Sequence, residues 1–106
     1  MNTLTFNPSN WSGNGADATA EVTDLGQGDS RIIFRGDQFE SSQYTTNFGE
    51  TGGEMYSICD LSHEGNIVAT AYKDGRDWWA SEQDGDLTRE DDNPLVALLQ
   101  VVANIM

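Results

Sequence analysis

The chain has 106 residues and a formal charge of −13, from 18 Asp and Glu against five Lys and Arg. That length fits one domain, residues 1–106, with a single core. A surface this acidic repels DNA, RNA and anionic lipid unless a basic patch overrides the field. Arg31, Arg35, Lys73, Arg76 and Arg89 are too scattered to form one, which argues against direct nucleic-acid binding and membrane attachment.

The opening residues Leu4 to Phe6 read as a short strand, and the turn-rich run from Asn7 to Gly15 reads as a loop. Asn10-Trp11-Ser12 matches a glycosylation acceptor, which has no meaning without secretion. Met1 to Phe6 lacks the basic and apolar regions of a signal peptide, and no stretch reaches the ~18 apolar residues of a membrane span. The lone Cys59 allows no internal disulfide and fits a reducing compartment. The expected location is therefore the cytoplasm.

From Asp17 to Asp24, Ala18, Ala20 and Val22 alternate with Thr19, Glu21 and Thr23, the period of a half-buried strand. Residues 25–30 read as a turn, Arg31 to Arg35 as a β-branched strand and Gly36-Asp37 as its end. A further strand is expected from Gln43 to Phe48, followed by a glycine-rich loop to Gly53. The runs Glu54–Leu61 and Asn66–Lys73 flank Ser62-His63-Glu64-Gly65, a connection typical of a hairpin. Asp74-Gly75 then signals a tight type I′ turn into a strand from Asp77 to Ser81. Residues 54–81 are thus expected to form a three-stranded antiparallel meander.

Asn93-Pro94 is a helix start, with Asn as cap and Pro at the first helical position. Asp91 and Asp92 lie where the helix dipole favours negative charge. The helix from Leu95 to Met106 is apolar except for a narrow stripe through Gln100 and Asn104. One sheet cannot cover so wide an apolar face. Either N-terminal segments wrap its second side, or Leu95, Leu98, Leu99, Val102 and Ile105 form a homodimer contact. The expected fold is α+β: a mostly antiparallel sheet with one C-terminal helix packed on it.

Few residues suggest catalysis. Cys59 and His63 could pair as nucleophile and base, or as half a metal site, with Asp60 and Glu64 beside them. With one Cys and one His in the chain, neither a Cys/His zinc site nor a triad is complete without carboxylates. An inert buried thiol is the alternative. An EF-hand loop starting at Asp84 would need Gly at its sixth position and Glu at its twelfth, which are Arg89 and Leu95. General acid–base work needs a carboxyl in an apolar site, and most acids here fall in turns or at strand ends, where water is plentiful. No enzymatic activity, metal or cofactor is expected; a small metal-dependent hydrolase is the third alternative considered.

Residues 82–92 contain six acids and one base. If 82–86 are extended, Glu82, Asp84 and Asp86 project on one side at intervals of ~6.6 Å. Glu90, Asp91 and Asp92 would continue that row, and Asp74 and Asp77 would add to it. Such a row could occupy a groove built for phosphates. Of Trp78 and Trp79, adjacent in a strand, one should face the core and the other the outer surface, where it could anchor an interface. Solubility and salt adaptation are competing explanations for the acidity.

In size, single-domain form, charge and its acidic 82–92 segment, the chain resembles the small acidic proteins that phages and mobile elements use against host defence. These include anti-CRISPR proteins and DNA-mimic inhibitors. The resemblance implies stoichiometric inhibition of a basic nucleic-acid-binding protein or complex in the host cytoplasm. The competing expectation is a homodimeric accessory protein.

Overall fold

A computed structural model describes residues 2–8, 17–45 and 53–106. Eight strands follow one another in chain order: β1 (Asn2–Phe6), β2 (Ala18–Gly26), β3 (Asp29–Phe34), β4 (Asp37–Thr45), β5 (Glu54–Asp60), β6 (Ile67–Asp74), β7 (Asp77–Glu82) and β8 (Thr88–Asp91). Each pairs antiparallel with the next in a single sheet. Helix α1 (Pro94–Ile105) follows and packs on β5 to β8. The fold is α+β, and the expected 54–81 meander forms β5 to β7 of the sheet.

Tight turns drive this topology. Gln27-Gly28 and Arg35-Gly36 both take positive φ at both positions, 57° and 83° in the first and 52° and 84° in the second. That is the type I′ pattern, whose twist matches the flanking strands. These turns let β2 continue to Gly26 and β4 begin at Asp37, so the expected loop at 25–30 shrinks to two residues. The β6–β7 turn differs from its expected form. Its central residues are Gly75 and Arg76, and only Gly75, at φ 67°, is positive. This is the type II′ pattern, with Asp74 and Asp77 facing each other as the closing pair. The sequence reading also placed β4 too late: it begins at Asp37, and Thr46 to Phe48 lie outside the described residues.

The inner face of the sheet has two textures. On β6 and β7 it carries Ala69, Ala71 and Ala80, all fully buried. These small side chains let α1 lie close, with Leu98, Leu99, Val101 and Val102 filling the space above them. On β1 to β4 the same face carries Phe6, Ile32, Phe34 and Phe39, and the Phe6 and Phe34 rings pack 5.6 Å apart. The register shift between Ile58 and Cys59 leaves Val68 as the extra residue on β6. A bulge of this kind bends the sheet and increases its twist.

Asn93 caps the helix as expected: its side-chain oxygen accepts from Leu95 N–H at 2.9 Å, and Pro94 opens the first turn. The polar stripe is a seam with the chain's own N-terminal segment. Gln100 Nε2 donates to the Asn7 carbonyl at 2.9 Å, and Asn104 Nδ2 donates to the Pro8 carbonyl at 2.7 Å. Arg35 donates to the Ala103 carbonyl at 3.1 Å while lying over the Phe34 ring. The helix is therefore held on its second side by its own chain. This corrects the dimer-contact residues: Leu98, Leu99 and Val102 lie inside the core and Leu95 packs partly against it. Only Ile105, 40% exposed, remains at the surface.

Candidate functional site

The acidic segment does not form the expected row. Gln83 to Gly85 make a turn. Glu82 N–H donates to the Leu87 carbonyl at 2.8 Å, and Gln83 N–H donates to the Val68 carbonyl at 2.9 Å. Residues 82–86 are thus bent, and Glu82, Asp84 and Asp86 do not line up. The Glu82 carboxylate folds back over its own turn, against Gly85. Asp84 and Asp86 are exposed there. Thr88 to Asp91, not read as a strand from the sequence, form β8 on the edge of the sheet. A short, charged edge strand resists pairing with other chains.

The remaining acids gather at the opposite end of the β7–β8 hairpin, roughly 17 Å away at the strand rise of ~3.3 Å per residue. Asp74 and Asp77 flank the β6–β7 turn. Glu90 lies opposite Trp79 and shares a side-chain hydrogen bond with Asp77. Desolvation, then the Asp77 charge, the hydrogen bond and the Asp74 charge hold the Glu90 carboxyl above its ordinary pKa. Asp91 lies opposite Trp78. Burial raises its pKa most, Asp92 and Asp77 raise it further, and the Asn93 N–H donated to its carboxylate at 2.9 Å opposes them. Asp74, Asp77, Glu90, Asp91 and Asp92 therefore form one acidic group. Arg76, in the turn, makes no ion pair with it among the described residues.

The two tryptophans face opposite sides, as alternation requires. Trp78 is buried, stands edge-on to Tyr56 at 5.0 Å and has the Lys73 ammonium 6.0 Å from its ring centroid. It is a core residue and cannot serve as a partner anchor. Trp79 is half-buried on the outer face. Strand pairing sets Tyr44 beside Met55, Met55 beside Tyr72, Tyr72 beside Trp79 and Trp79 beside Glu90. One apolar row thus crosses four strands and ends in a carboxylate. The next row, Ser42, Ser57, Thr70, Ser81 and Thr88, carries only hydroxyls. Tyr44, Met55 and Tyr72 were not singled out from sequence. Their shared outer parity was visible within each strand, but the register that joins them was not.

Cys59 and His63 are not brought together. Cys59 pairs with Glu40 across the outer face. Burial first, then the Glu40 charge, raises its thiol pKa, which disfavours the nucleophilic thiolate. The His63 Nδ1 lies 2.8 Å from Asp60 Oδ2 and 4.0 Å from Asp37 Oδ2. The hydrogen bond to Asp60, then the charges of Asp60 and Asp37, raise its pKa. A base whose folded-state pKa is raised stabilises the fold fully below its unfolded pKa and loses that contribution as pH rises through the folded value. His63→Ala should therefore lower the melting temperature at about pH 5.5 and change it little at about pH 8.5. An equal effect at both pH values, by circular dichroism melting, would contradict this assignment.

A cavity of about 420 Å³ opens beside this His–Asp pair, over Phe39, Val102 and Ile105. The nearby Ser62 hydroxyl accepts from Gln38 N–H at 2.9 Å and stabilises the turn. Among the described residues, no group of three or more His, Cys, Asp or Glu is placed to hold a metal ion. No helix among them is long and apolar enough to cross a membrane. No family model, curated protein or solved structure gives a significant match to the chain.

Proposed function

We propose that the protein is a non-enzymatic inhibitor that binds, stoichiometrically, a basic nucleic-acid-binding surface of a host defence protein or complex. In this reading it acts as anti-CRISPR and DNA-mimic proteins do, in the host cytoplasm. The observation that carries it is the gathering of Asp74, Asp77 and Glu90 beside the outer-face Trp79, with Asp91 and Asp92 following Glu90 along the chain. Clustered carboxylates steer a basic surface into encounter. An adjacent aromatic ring supplies the desolvated anchor that charge alone lacks. Because the protein would take the place of phosphates, its binding should weaken with salt and exclude nucleic acid from the partner.

The test is capture of host proteins on the immobilised chain, with elution by rising salt and, separately, by duplex DNA. The reading expects nucleic-acid-binding proteins that both treatments release. Retained partners that excess duplex fails to displace would count against it.

A further inference from the structure

We infer that the partner docks on the outer-face row Tyr44–Met55–Tyr72–Trp79, and that the docking element is an arginine-bearing segment. This rests on the function proposed above and names the chemistry of its partner. Tyr44 is 39% exposed and Tyr72 is 48% exposed. With strands ~4.8 Å apart, Tyr44 to Trp79 spans roughly 14 Å, enough for several residues of an extended segment. Glu90 continues the row, and Asp77 lies close enough for its charge to act on it.

Rings beside carboxylates select a particular cation. The face of Tyr or Trp attracts a positive charge. A planar guanidinium can stack on the ring while its N–H groups fork onto a carboxylate, which a lysine ammonium cannot do. An apolar partner would cover Asp77 and Glu90 without pairing them, at a desolvation cost. A nucleic acid would be repelled.

Of the chain's five Lys and Arg, Arg76 lies in the β6–β7 turn and makes no ion pair with these carboxylates among the described residues, and the other four are engaged elsewhere. Arg31 pairs with Glu40 at 3.3 Å, Arg35 reaches the helix end, Lys73 lies over Trp78 on the inner face and Arg89 bonds to its neighbour's carbonyl. The adjoining hydroxyl row adds no charge that would repel a basic segment.

The probe is fluorescein-labelled octa-arginine, with octa-lysine for comparison, titrated by fluorescence anisotropy at low and high salt. Tyr72→Ser and Trp79→Leu should each weaken octa-arginine binding about fivefold or more, while the double variant Asp84→Asn/Asp86→Asn should stay within about twofold. Octa-arginine should bind more tightly than octa-lysine. Trp79→Leu keeps an apolar side chain on the sheet; should it unfold, as judged by circular dichroism, the exposed Tyr72→Ser decides. Salt-sensitive binding that ignores both aromatic substitutions overturns the docking face and leaves the acidic-surface reading standing. Equal loss from the Asp84/Asp86 variant also overturns the docking face, in favour of bulk charge. No binding of either peptide at low salt overturns both.

Discussion

Replacing Leu98 with Ala should destabilise the fold by about 3 kcal/mol and lower the melting temperature by roughly 15 °C. Leu98 is fully buried, on a helix of 12 residues that is too short to be stable alone in water. The helix is held from two sides, by the alanine-lined seat of β6 and β7 and by the Asn7, Pro8 and Arg35 contacts. Neither side can collapse freely into the space left by the lost atoms, so a cavity cost adds to the lost burial. Ile105→Ala, at the helix end and 40% exposed, should cost under about 1 kcal/mol by the same reasoning. Denaturant unfolding of both variants checks this. A Leu98→Ala cost as small as that of Ile105→Ala would contradict the described packing.

That packing was only half visible in the sequence. The width of the helix's apolar face showed that one sheet could not cover it, but Gln100 and Asn104 read only as a narrow polar stripe with no partner indicated. Their partners are carbonyls more than 90 residues away in sequence, and no local pattern encodes such a contact. The meander was legible because Gly75 and the 62–65 connection mark its turns. The start of β4 was missed because Asp37, Gln38, Glu40, Ser41 and Ser42 look polar; only Phe39 carries the inner face there, and Ser41 is buried beside it. β8 was missed because Thr-Arg-Glu-Asp has no apolar alternation and becomes a strand by pairing with β7.

Neutralising Asp77 and Glu90 together (Asp77→Asn/Glu90→Gln) should weaken binding of the basic partner, read with octa-arginine, by at least about 100-fold, because each lost charge-assisted contact is worth about 1.5–3 kcal/mol. The same substitutions should raise the melting temperature at neutral pH. Glu90 has its pKa raised by desolvation and by Asp77 and Asp74, so its ionised form opposes folding. That cost is absent at low pH and appears as pH rises through the carboxylate range. The stability gain of the variant should therefore shrink on acidification. Glu90 is exposed, so the gain is small and its sign is the test. Binding loss accompanied by reduced stability at neutral pH would mean that these carboxylates support the fold.

The site was legible in composition but not in arrangement. Sequence placed the acids between 74 and 92 and separated Trp78 from Trp79, since neighbours in a strand face opposite ways. It could not place the 83–85 turn, which sends Asp84 and Asp86 to the far end of the hairpin. Nor could it supply the register that puts Glu90 against Trp79 and Asp77. Tyr72 and Tyr44 join the surface through the same register, carried by pairings across β4, β5 and β6.

The most direct measurement is a titration of the isotopically labelled protein with octa-arginine, followed by two-dimensional amide NMR. The largest shifts should fall on Tyr72, Asp77, Trp79 and Glu90, including the Trp79 indole N–H, with Asp84 and Asp86 nearly unmoved. Shifts centred on Asp84 and Asp86, or spread evenly over all exposed acids, would contradict a binding surface on this face of the sheet.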